Sequence, residues 1–91
     1  MKIKISKEQA EVMFHALLYT QLEVDKVQVG GIAYALARNP LEITDEQADI
    51  IINILSAESD RVRKTNGTNY GPFTLAEVDN LIVSIRKRKK E

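Results

Sequence analysis

The single histidine, His15, follows Glu11 by four positions, so on a helix the imidazole and the carboxylate can meet. That pair is half of a metal site at most. The chain has no cysteine and no second histidine to supply further ligands, so no metal centre is expected. Nucleophilic chemistry fares no better. A hydroxyl nucleophile needs a base within hydrogen-bond reach, and His15, the only usual base, falls on a predicted polar helix face with no acid fixed beside it. Ser6, Thr44 and Thr74 are explained as helix caps, and the acids as helix starts and solvated faces. The expectation is a protein without catalytic residues, metal or cofactor, and not an enzyme.

Recognition has better candidates. Residues 65–72, Thr-Asn-Gly-Thr-Asn-Tyr-Gly-Pro, read as a loop, with bases before it and a helix start after it. Arg61, Arg63, Lys64, Asn66, Thr68, Asn69, Tyr70 and Thr74 together offer positive charge, amides, hydroxyls and one stacking ring, which an anionic nucleotide would require. The competing reading is an ordinary helix connection using Gly67 and Gly71 for backbone freedom. Gly67 to Gly71 lacks the lysine and Ser/Thr ending of a P-loop. A second basic group, Arg86, Lys87, Arg88, Lys89 and Lys90, could neutralise nucleic-acid phosphates. It reads more readily as a solubilising helix end that suits the helix dipole. A helix-turn-helix sketched from Gly31 onward fails, because its recognition helix would begin with Asp45, Glu46 and Asp49.

The totals set outer bounds. Ninety-one residues make one domain, 1–91, with 86–91 as a basic tail. Formal net charge is zero, but 86–91 holds five bases and one acid, leaving eight bases and twelve acids in 1–85. Body and tail therefore carry opposite charge, −4 and +4. The missing cysteines favour a cytoplasmic setting. No apolar run approaches the ~20 residues of a membrane span, and the first residues have no apolar signal core.

Three copies of one local pattern position everything else. Ile5-Ser6-Lys7-Glu8-Gln9, Ile43-Thr44-Asp45-Glu46-Gln47 and Phe73-Thr74-Leu75-Ala76-Glu77 each place an apolar residue, a hydroxyl and then Gln or Glu three positions on. Each is a capping box preceded by an apolar staple residue. The spacing predicts helices over about 7–23, 45–64 and 75–86. Residues 24–39 read as one helix, or as an extended piece to Val29 followed by a helix covering at least 31–38 and ended by Asn39-Pro40. Ala10, Met13, Phe14, Leu17, Leu18 and Gln21 form the expected inner face of the first helix. Lys2 to Ile5 alternates and predicts a short arm, pairing with Lys26 to Val29 or with another chain. The fold class is mainly α: a small bundle of three to four helices with a short N-terminal extended arm. Glycines and alanines leave 30–37 nearly bare of bulk, and Ile50 to Ile52 cover most of a helix circumference. The bare segment reads first as tight packing inside the monomer, and the sharper alternative is a subunit seam or a ligand floor. The isoleucine excess suggests a second buried side. A seam would fall at Gly31, Tyr34, Ala35, Ile50 and Ile54.

With its short length, lack of cysteine, capped helices and charged end, the chain resembles small accessory proteins of bacteriophages and prophages. That resemblance implies inhibitor, regulator or nucleotide-sponge roles and assigns no residue. Three readings follow. The first is a non-enzymatic helical binding protein that self-associates as a homo-oligomer and engages a protein partner. The second is a binder of an anionic nucleotide through the 61–74 region at a subunit boundary. The least favoured is a nucleic-acid binder through the tail.

Overall fold

The hydroxyl caps do start helices. In the computed structural model, which describes residues 2–89, Ser6 accepts from Gln9 N–H at 3.1 Å and Gln9 accepts from Ser6 N–H at 3.0 Å. Thr44 and Gln47 repeat the exchange at 3.1 and 2.9 Å. Thr74 accepts from Glu77 N–H at 3.1 Å. The chain runs β1 (Lys2–Lys4), α1 (Lys7–Tyr19), α2 (Lys26–Leu36), β2 (Glu42–Thr44), α3 (Asp45–Lys64), β3 (Asn69–Tyr70), β4 (Phe73–Thr74) and α4 (Leu75–Lys89). It is mainly α, four helices with two small antiparallel ladders.

Four boundaries differ from expectation. α4 runs on to Lys89, past the expected end near Arg86, so the first residues of the basic tail are helical. The other three have local reasons. α1 stops at Tyr19 rather than near Glu23. Thr20 turns extended and its hydroxyl accepts from Leu22 N–H at 3.1 Å, a local turn that competes with the helix. α2 begins at Lys26, because Asp25 caps it by accepting from Val27 N–H at 2.8 Å, and it runs straight through Gly30 and Gly31. It ends at Leu36, before the expected Asn39-Pro40 stop. The left-handed residue that ends a helix is instead Asn66 (φ 58°), after α3. Gly67 N–H donates to Val62 C=O and Asn66 N–H to Arg63 C=O, the paired bonds of a Schellman motif.

The N-terminal arm does not pair with Lys26 to Val29. β1 lies antiparallel to β2 with Ile3 opposite Ile43, and Ile5 N–H donates to Leu41 C=O. Residues 26–29 are the first turn of α2, so they present no extended edge for a strand to pair with.

α3 is the central rod. Ala48, Ile51, Ile52, Ile54, Leu55 and Val62 are buried, while α1, α4 and β1 pack around it. The isoleucine surplus is therefore absorbed within one subunit. Ile54 is fully buried and Ile50 is half-buried against the same core, so the expected seam on this helix is corrected. On α1 the buried arc is rotated from expectation: Val12 and Ala16 join Ala10, Met13 and Leu17, while Phe14 and Leu18 reach the surface.

Thr44→Ala removes the hydroxyl that satisfies the Gln47 amide of the central helix. It should cost about 1 kcal/mol in urea unfolding, with Thr44→Ser losing only a few tenths.

Candidate interaction surface

The 61–74 region is built around a buried carboxylate. Glu58, on the inward side of α3, is 2% exposed. Arg61 Nε donates to it at 3.0 Å from the next turn, and the Tyr70 hydroxyl donates to it at 3.3 Å from β3. The hydrogen bond to Glu58 holds Arg61 more firmly charged than usual. Burial, then the Glu58 charge, pushes the Tyr70 phenol well above its ordinary range. Beside them Arg63 donates to Ser59 at 2.6 Å and pairs with Asp79 of α4, and Ser59 donates to Asp79 at 3.2 Å.

The loop itself is a hairpin. Asn69 pairs with Thr74 and Tyr70 with Phe73, leaving Gly71 and Pro72 as the two-residue turn. Gly71 has φ +59°, as primed hairpin turns require at their first central residue. The hairpin sits on α1 through His15. The Tyr70 and Phe73 rings stand nearly perpendicular to the imidazole at 4.9 and 5.6 Å, and the Tyr19 ring lies 4.7 Å away, tilted by 43°. A Cβ on Gly71 would collide with the His15 ring.

The proposed ligand residues are thus brought near one another but largely engaged. Tyr70 is 3% exposed, so it is a core residue rather than a stacking platform. Arg61 and Arg63 are held by Glu58 and Asp79, Asn66 is a helix cap and Thr74 starts α4. Lys64, Thr68 and Asn69 are exposed. His15 is half-buried among rings instead of lying free on a polar face. In the basic tail, Arg88 donates to the Lys4 carbonyl and Lys89 pairs with Asp49, while Arg86 and Lys87 are exposed; Lys90 lies outside the described residues. Among the described residues no group of three or more His, Asp or Glu is placed to hold a metal ion, and no helix is long and apolar enough to cross a membrane.

A different surface stands open. Phe14, Leu18, Tyr19, Leu22, Val27, Tyr34 and Val83 are the large apolar side chains exposed on the described residues, and all but Val83 lie on α1, α2 or the link between them. On α2, Val27 (82% exposed), Gly30, Gly31 and Tyr34 (65%) fall at i, i+3, i+4 and i+7, the spacing of one helix-packing face. Ile32 and Leu36 take the opposite, buried side. A cleft of about 300 Å³, lined in part by Gly31, Tyr34, Arg38 and Glu42, runs along one flank of α2. A groove of about 590 Å³, lined in part by Leu22, Glu23, Lys26 and Gly30, runs along the other. Gly31, Tyr34 and half-buried Ala35, named from sequence, lie on or beside this face. Gly30 belongs to the bare segment read from sequence, whereas Val27 and Leu18 do not figure in that reading. The 27–34 spacing is readable once Asp25-Lys26-Val27-Gln28 is taken as a helix start.

Compared with known proteins, the chain matches no family model, no curated protein and no solved structure.

Two predictions concern the hairpin. Gly71→Ala combines a left-handed backbone with a collision, and should destabilise by about 2–3 kcal/mol. His15→Ala in the same chain should recover part of that loss, measured as a double-mutant cycle in urea. The second prediction is alkaline. An unfolded tyrosine releases its proton near pH 10.0, whereas Tyr70 in the fold holds its proton to higher pH. Its contribution is complete below that pH and falls as pH rises beyond it, because only the unfolded state then ionises. Tyr70→Phe should flatten the decline of the urea midpoint above pH 10.0, and lower stability at neutral pH by about 1–2 kcal/mol through loss of a Glu58 partner.

Proposed function

We propose that this is a small non-enzymatic binding protein that self-associates through its α1–α2 surface and leaves its remaining faces to a macromolecular partner. One observation carries the reading: the exposed large apolar side chains are concentrated on two adjacent helices, with Val27 and Tyr34 flanking two bare glycines. Scattered apolar residues are normal on a monomer; on α2 they are instead aligned on one helix face, at i, i+3, i+4 and i+7. The groups that would be needed for chemistry are otherwise employed. Ser6, Thr44 and Thr74 cap helices, and the His15 imidazole packs against three rings. A binding role of this kind fits an inhibitor or regulator of the bacteriophage accessory type.

Sedimentation equilibrium at micromolar and higher concentration should report a dimer or larger species. Val27→Asp and Tyr34→Asp change exposed positions only, so each should yield a 10.3 kDa monomer with an unaltered circular dichroism spectrum. Wild-type protein that remains at 10.3 kDa through hundreds of micromolar would refute self-association.

A further inference from the structure

We infer that two copies of this chain pair through α2, antiparallel about a twofold axis that passes between Gly30 and Gly31. This rests on the self-association reading above and specifies its geometry.

The α2 face is self-complementary. A twofold interface uses the same patch on both subunits, so whatever lies on one side of the axis must fit what lies on the other. The midpoint of Val27, Gly30, Gly31 and Tyr34 falls between the two glycines. An axis there sets Val27 opposite the partner's Tyr34 and Gly30 opposite the partner's Gly31. The large residues then flank the crossing and the bare ones occupy it. None of these four side chains carries a charge at neutral pH.

The glycines need such a neighbour. A Cβ on either would meet nothing of its own chain within 4 Å, so subunit packing does not require them. Both have helical φ, so neither is needed for backbone conformation. Glycine in mid-helix is then explained by close approach of another backbone.

Charge adds an independent match. Glu23 and Arg38 lie equally far in sequence from the same midpoint, one before α2 and one after it, and both are exposed. Among the described residues neither takes part in an ion pair. Arg38 is drawn in toward this face, its guanidinium 5.3 Å from the centre of the Tyr34 ring. The antiparallel arrangement brings each Arg38 toward the partner's Glu23, twice per dimer. A parallel arrangement would set Arg38 beside Arg38 and Glu23 beside Glu23, which like-charge repulsion disfavours.

The chain has no cysteine, so disulfide trapping reads the geometry directly. Val27→Cys and Tyr34→Cys chains are refolded and oxidised separately and as a mixture. The mixture should give a covalent dimer of twice the 10.3 kDa chain mass, and each variant alone should stay uncrosslinked. Glu23→Lys and Arg38→Glu should each weaken association several-fold, and the two together should restore it. Gly31→Leu should abolish the dimer while leaving the helical spectrum and melting temperature undiminished. Strong trapping of each single variant with itself overturns the antiparallel axis. A dimer in sedimentation that traps in none of these combinations overturns the α2 interface but leaves self-association standing. A monomer at all concentrations removes both.

Discussion

A carboxylate held almost entirely out of water must be surrounded by donors, and Glu58 gathers much of this structure to itself. Arg61 supplies charge from the next turn of α3, and Tyr70 supplies a hydroxyl from across the loop. Because Tyr70 must reach Glu58, β3 is drawn down onto α3, and the chain must reverse at once to start α4 at Leu75. Gly71 makes that reversal. The turn then lies against His15 so closely that only a residue without a side chain fits. One buried acid thus accounts for the tyrosine, the glycine and the half-buried histidine together. It also accounts for why a stretch with the composition of a recognition loop is instead a clamp between α3 and α1.

α3 is covered on several sides, and this decides where apolar surface is left over. α1, α4 and β1 each pack on it, so its isoleucines are consumed inside the subunit. α2 packs on α1 and β2 and buries only Ile32 and Leu36 fully. A helix at the margin of a small domain has one neighbour side and one open side. On α2 the open side carries valine, tyrosine and glycine where lysine and glutamate would be ordinary.

Much of the fold could be read from the chain because its signals are local. Ser6 and Thr44 mark helix starts through bonds that span three residues, and the full extent of α3 follows from its cap, its periodicity and its terminal charges. Asp25-Lys26-Val27-Gln28 follows the same logic as the hydroxyl caps, but a carboxylate among alternating residues is a weaker local signal, and it is this cap that sets the start of α2. The partner of β1 was hidden for a different reason. Lys26 to Val29 alternates as a strand should, yet the three residues of β2, directly before α3, sufficed once Ile43 was fixed beside the Thr44 cap. Tyr70 and His15 were misplaced because their environment is tertiary: nothing near Tyr70 in sequence announces that Glu58, twelve positions earlier, is buried.

The two glycines of α2 bear most directly on the proposed pairing. Together they disfavour the helix by about 2 kcal/mol relative to alanine. That is a large share of the stability available to a domain of this size, on the order of 5–10 kcal/mol. Elsewhere in the described chain glycine has a local cause. Gly71 turns a hairpin at positive φ, and a Cβ on Gly67 would press within 2.6 Å of Val62. Gly30 and Gly31 have no such cause inside the subunit, and alanine at either would strengthen α2 without touching anything. The residues flanking them are among the most exposed apolar side chains on the molecule. Bareness at the centre and bulk at both ends is the relief that the proposed pairing uses. Glu23 and Arg38 lie equally far in sequence from the glycine pair, and it is on this pattern that the proposal of a second α2 as the neighbour rests.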